Sequence, residues 1–262
     1  MTPAKAVPAA AVEATFAGAQ LLDYGLLVLP GLALLGACFW LARGDRDPLL
    51  RIVVLILGFI LIRDAMTPAR LWEFGLVGGV VPWLRMTSDP VVLIAFGLGS
   101  LALVFLTLRD RALSGLVRWG RPNVSTIAMG VGGGLLAAAP VLALSAWHPI
   151  DGRGGAVALA LLPALAFMAF AGNLGEEVFF RGYLQGRLER AMPAVRAAVL
   201  SGVLFAACHA FLATTVTDVG WPLLAFTLWE GLICAFLRMW RGVIPAAIAH
   251  GLAIFLLSSG LI

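Results

Sequence analysis

Charge is scarce in this sequence. Only 12% of its 262 residues are Asp, Glu, Lys or Arg, while 61% are hydrophobic and the mean hydropathy is +1.00. An ordinary soluble domain carries roughly 25% charged residues. A chain with half that charge does not clothe a globular surface with polar side chains. This excludes a soluble enzyme, a disordered protein and a nucleic-acid binder as first readings. The pI near 9.5 does not restore nucleic acid as a partner, because the net charge is only +4. Lysine is nearly missing: Lys5 stands alone beside seventeen arginines, which, with the abundance of Ala, Gly and Leu, fits a GC-rich bacterial genome. Cysteine is rare too. Cys38, Cys208 and Cys234 sit inside apolar runs at no metal or disulfide spacing and read as small buried hydrophobes. No Walker or dinucleotide signature is present, so neither a nucleotide nor a redox cofactor is expected.

What the chain has is long apolar runs. A helix crossing a bilayer needs about 20 mostly apolar residues. Runs near 22–42, 91–108, 124–147, 156–180, 196–213, 219–237 and 243–260 qualify, and a shorter one lies near 49–62. The expectation is an all-α, polytopic transmembrane bundle of about eight spans. Residues 1–21, broken by Glu13, read as a loose or interfacial segment. Residues 22–150 read as N-terminal membrane helices, and 151–262 as a C-terminal helical part in one unit with them. The stretch after residue 70, with Gly78-Gly79 and Pro82, reads as a broken or interfacial segment. Gly130, Gly132, Gly133 and Gly134, inside a span, read as close helix packing rather than a phosphate loop. The eight Trp read as an interfacial belt.

Arginines crowd alternate loops: Arg109, Arg111, Arg118 and Arg121; Arg187, Arg190 and Arg196; Arg238 and Arg241. By the excess of positive charge in inner loops, these face the cytoplasm, consistent with a bacterial inner membrane. Arg63, Arg70 and Arg85 fall on the opposite side and count against that orientation. Asp64, near a span end, reads as interfacial.

Ionisable groups at membrane depth mark functional sites, and the C-terminal half holds Glu176, Glu177, Arg181, His209, Glu230 and His250. In GEEVFFRGYLQ, Glu177 and Arg181 stand at i, i+4, where acid and base pair on a helix. Glu176 is turned about 100° away and lacks that partner. Phe205 and His209 share a face in FAACH. Glu176 lies 11 residues before Arg187, His209 lies 13 after Arg196, and His250 lies 9 after Arg241. At ~1.5 Å per residue these are roughly 16, 20 and 14 Å from the basic boundary, so one polar cavity can hold all three. A carboxylate and an imidazole can together deprotonate a water, and a second imidazole can stabilise an oxyanion. A Zn²⁺ site is the competing use of such residues, but no H-E-x-x-H helix is present. Glu230 either lines the cavity or hydrogen-bonds between helices. Proton relay in a transporter is a further use of buried Glu and His, against which the absence of a matched set in the N-terminal half counts.

The E-E-x-x-x-R, F-x-x-x-H and late-span His of Glu176–Arg181, Phe205–His209 and His250 resemble the CAAX prenyl protease and bacteriocin-processing (CPBP, or Abi) family. These are intramembrane glutamate proteases that include the Ras-converting endopeptidases. The resemblance covers residues from about 156 to 260. It implies an intramembrane endopeptidase without metal or cofactor, acting on a membrane-associated protein or peptide within the lipid bilayer. It also implies that Glu176 and His209 activate the water, that Glu177, Arg181 and Phe205 support the site, and that His250 helps form the oxyanion hole. The family's last motif runs H-x-x-x-N, and here Ile254 stands at the Asn position. Asn173, one turn before Glu176, is the candidate substitute donor. A catalytically impaired relative acting as a membrane scaffold is the alternative that Ile254 keeps open.

Overall fold

The computed structural model describes residues 9–261. Eight longer helices follow one another: α1 (Ala9–Ala42), α2 (Leu49–Asp64), α3 (Pro90–Leu108), α4 (Val124–Ser145), α5 (Leu162–Glu177), α6 (Ala194–Ala207), α7 (Trp221–Arg241) and α8 (Val243–Ser259). Among the described residues, six helical stretches are long and apolar enough to cross a membrane: 18–42, 90–108, 124–145, 159–188, 194–216 and 221–241. The shorter α2 and α8 complete a polytopic bundle, making the chain an integral membrane protein. Helix α1 begins well before the apolar run, because its Ala-rich first turns are strong helix formers. Residues 1–8 of the segment expected to be loose or interfacial lie outside the described residues. The outer surface is apolar: Leu22, Leu26, Leu29, Leu34 and Leu41 of α1 are all more than half exposed, as a lipid-facing helix requires.

The stretch expected to be broken or interfacial is a hairpin of β1 (Trp72–Val77) and β2 (Val81–Met86), paired antiparallel with Trp72 opposite Met86 and Phe74 opposite Leu84. Gly78 and Gly79 turn it with φ of 61° and 74°, values that only glycine adopts without strain. Arg85 ties the hairpin inward. Its guanidinium donates to the carbonyls of Gly155, Leu84 and Leu257, the last near the end of α8. It is therefore a buried tether and not a loop charge on the outer side.

Helix α8 packs against α4, α5 and α7. A methyl group on Gly133 or Gly134 of α4 would run into Leu237 or Leu252 and the Ala249 carbonyl, so these glycines serve close packing; Gly132 faces open space. In α7 the buried positions Thr227, Glu230, Gly231, Cys234, Ala235 and Arg238 recur at helical spacing and turn one stripe toward the other helices. Arg238, at its end, pairs with Glu189.

Candidate active site

The end of α5 sets the geometry. From Val178 to Leu184 the helix widens into a π-helical turn that holds Arg181, and hydrogen bonds in both directions tie it to neighbouring helices. Ser201 donates to the Phe180 carbonyl, Gln185 to that of Ala235, and Arg181 to that of Gly231 at 2.9 Å. Thr107 and Tyr183 share a further hydroxyl hydrogen bond. The helix end is thereby fixed against α3, α6 and α7.

On its packed side, Glu177 and Arg181 are both fully buried, and Arg181 Nη1 lies 3.1 Å from Glu177 Oε1. The same oxygen accepts from His250 Nδ1 at 2.9 Å. The other nitrogen of His250 stands 3.6 Å from Glu230 Oε2, so this imidazole lies between two carboxylates. Phe205 fills the space among these groups. Its ring takes the Arg181 guanidinium at 4.3 Å and packs against His209 and His250 at 4.7 and 5.6 Å. Stacking of this kind lets a planar cation be buried on an aromatic face.

On the other side lies a cavity of about 440 Å³ with mostly apolar walls, reached by Glu176, His209, Glu230 and His250. Glu176 lines it, with Oε2 buried and without a hydrogen-bond partner, as is Oε2 of Glu177. His209 Nδ1 stands 2.8 Å from the Phe205 carbonyl. A carbonyl only accepts, so Nδ1 carries the proton, and in the neutral ring Nε2 is left as an acceptor. A carboxylate without a partner and an imidazole with an open nitrogen on one cavity can take a proton from a water between them. Asn173 lines the cavity, with its amide donating to the Ala169 carbonyl one turn back at 2.6 Å. Ile254 lines it too and donates nothing. Among the described residues, no three of His, Cys, Asp and Glu are placed to hold a metal ion.

The structure thus brings Glu176, His209 and His250 to one cavity, with Glu177, Arg181 and Phe205 packed behind. It also adds groups that sequence reasoning passed over. Arg63 of α2, counted as a charge on the outer side, is 3% exposed and lines the cavity. Asp64, read as interfacial, is buried and accepts from Arg63 Nε at 2.8 Å. Their place at the end of an apolar run looked like an ordinary span boundary. The one available signal was that α2 is too short to reach across a bilayer, which puts its end inside. Glu230, recognised as an intramembrane acid that could line the cavity or supply polarity near His250, stands beside that imidazole. Trp72 and Trp83 of the hairpin also line the cavity instead of forming part of a belt.

A polytopic helical membrane protein with an acid, an imidazole and a braced ion pair around an apolar cavity is the class that fold and site define. Residues 158–256 match the Rce1-like family, described as Type II CAAX prenyl endopeptidase Rce1-like. That part of the chain carries the family's sequence pattern, a family of proteases, in agreement with the motifs at Glu176–Arg181, Phe205–His209 and His250. No curated protein and no solved structure matches the chain.

Proposed function

We propose that the protein is an intramembrane endopeptidase that hydrolyses a peptide bond of a membrane-associated protein or peptide with a water activated by Glu176 and His209. The observation that carries this reading is the contrast at Glu176. Glu176 lines the cavity that His209 also lines and enters no ion pair among the described residues, while one oxygen of its neighbour Glu177 holds both Arg181 and His250. Water attacks the carbonyl carbon as its proton passes to the Glu176–His209 pair. The same pair returns a proton to the leaving nitrogen when the C–N bond breaks. Glu177 and Arg181 hold the helix end, and Phe205 holds both imidazoles. The apolar walls suit a substrate segment that arrives from the lipid.

The helices of residues 151–262 supply the acid–base groups in this reading, and those of 22–150 complete the cavity. The Arg-rich loops support a bacterial inner membrane, with the site approached from the cytoplasmic side or laterally from lipid. The test is purified protein in lipid vesicles, given membrane-inserted peptides and assayed by mass spectrometry for cleavage. Cleavage by the wild type that survives exhaustive chelation is the expected result. Cleavage that is lost together with one equivalent of zinc would replace the reading with a metalloprotease. No cleavage of any peptide would favour the scaffold reading that Ile254 suggests.

A further inference from the structure

Taken as a peptidase, the site lacks a donor. The position one turn beyond His250 is Ile254, and His250 turns one nitrogen to Glu177 and the other toward Glu230. The cation that remains on the cavity wall is Arg63, from α2, outside the stretch that matches the family. Its guanidinium has two hydrogen-bond tasks and one nitrogen to spare. Nε donates to Asp64 Oδ1 at 2.8 Å, and Nη2 donates to the Cys208 carbonyl at 2.7 Å. Nη1 is buried and has no hydrogen-bond partner, while the guanidinium lies over the Phe59 ring at 5.3 Å. A charged donor left unsatisfied in the interior is costly, and such groups call for an explanation. Cys208 caps the end of α6 and immediately precedes His209. Arg63 is therefore tied to the backbone that carries His209, and it lies within electrostatic reach of both Glu176 and His209.

We propose that Arg63 is the electrophilic residue of this site. Nη1 donates to the carbonyl oxygen of the scissile bond as that oxygen becomes an oxyanion, while Nη2 holds the Cys208–His209 backbone in place. The water oxygen bonds to the carbonyl carbon, and its proton goes to the Glu176–His209 pair. The carbonyl π electrons move onto the oxygen facing Arg63 and return when the C–N bond breaks. Nothing is oxidised or reduced. Asp64 fixes the guanidinium plane and keeps the cation from binding the substrate indiscriminately.

The inference rests on the peptidase reading, and the experiment separates the two. Full-length protein in nanodiscs is assayed on a fluorogenic apolar peptide as wild type, Arg63→Gln, Arg63→Lys and Glu176→Gln. Loss of one oxyanion donor costs ~10²–10³ in rate. Arg63→Gln should lose that factor in kcat with KM within a few-fold of wild type, and Arg63→Lys should recover part of it. In the Glu176→Gln background, Arg63→Gln should weaken binding of a phosphinate analogue of the peptide by a similar factor and leave binding of the peptide itself unchanged. Equal weakening of both ligands, or an unchanged kcat in folded Arg63→Gln, overturns the role. If Arg63→Gln does not fold, Arg63→Lys decides it, because a lysine replaces the fixed fork by a single point charge. A kcat and a phosphinate affinity equal to wild type in Arg63→Lys then refute the proposal. Full activity in Glu176→Gln breaks the peptidase reading itself, whereas a dead Glu176→Gln beside a fully active Arg63→Gln breaks only the inference about Arg63.

Discussion

Glu176 and Glu177 are chain neighbours on one helix end, yet the two sides of that end are different solvents. The packed side is fully buried at Glu177 and Arg181. Glu177 meets Arg181 and His250 there, and Phe205 seals the group from above. The open side is a cavity that Glu176 lines without entering an ion pair among the described residues. A rotation of about 100° per residue is enough to give one carboxylate a structural task and leave the other free to react. A buried ion pair with its partners in place holds a conformation. A buried acid without one is poised for chemistry and contributes little to the fold.

The comparison is broken first at His209, the imidazole on the open side. His209→Ala should lower turnover by ~10²–10⁴ while the protein still folds in detergent, since a positioned base contributes about that much. Equal turnover by the variant would move the base elsewhere. On the packed side the loss should be of stability. Arg181→Ala strands Glu177 beside His250, and removing one partner of a buried pair costs roughly 3–5 kcal/mol. A thermal midpoint in detergent that does not fall would refute the bracing role.

A smaller effect belongs to Gly231, whose carbonyl takes the Arg181 hydrogen bond. A methyl group there would stand 2.9 Å from Phe205 Cδ1 and 3.2 Å from the Gly202 carbonyl. Gly231→Ala should cost about 1–3 kcal/mol by overpacking and should lower the midpoint without changing KM. The smallest effect lies outside the membrane. Asp47, in the loop between α1 and α2, accepts two hydrogen bonds from Arg187, which hold its carboxyl down to about 2. A depressed carboxyl contributes stability above the ordinary carboxylate range and loses it as the pH falls toward about 2. The pair is exposed, so Asp47→Asn should leave the midpoint at neutral pH nearly unchanged and only flatten its decline on the acid side. A large drop at neutral pH would show that this loop contact holds the bundle.

The sequence made most of the helices legible because six of them lie in apolar runs of membrane length. It also made the acid–base set legible, because an ionisable residue inside such a run stands out. The hairpin was not legible. The first strand alternates, with Trp72, Phe74 and Leu76 against Glu73 and Gly75, but the second, VPWLRM, does not, and only the Gly78-Gly79 turn hinted at a pairing. Arg63 and Arg85 were hidden for the opposite reason. Arginine at the end of an apolar run is what a loop looks like, and only the fold shows that both guanidiniums are buried and reach carbonyls of distant helices. The pairing of Glu230 with His250 joins α7 to α8 and needs the packing between them.

The division of labour between the adjacent glutamates is tested most directly by measuring Glu176→Gln and Glu177→Gln side by side, in turnover of a membrane-inserted peptide and in thermal stability. The account predicts that Glu176→Gln abolishes turnover and keeps or raises the midpoint. It predicts that Glu177→Gln lowers the midpoint, because Arg181 loses its counter-charge, while the folded fraction still cleaves. The reverse pattern, with Glu177→Gln stable and inactive and Glu176→Gln unstable and active, would contradict it.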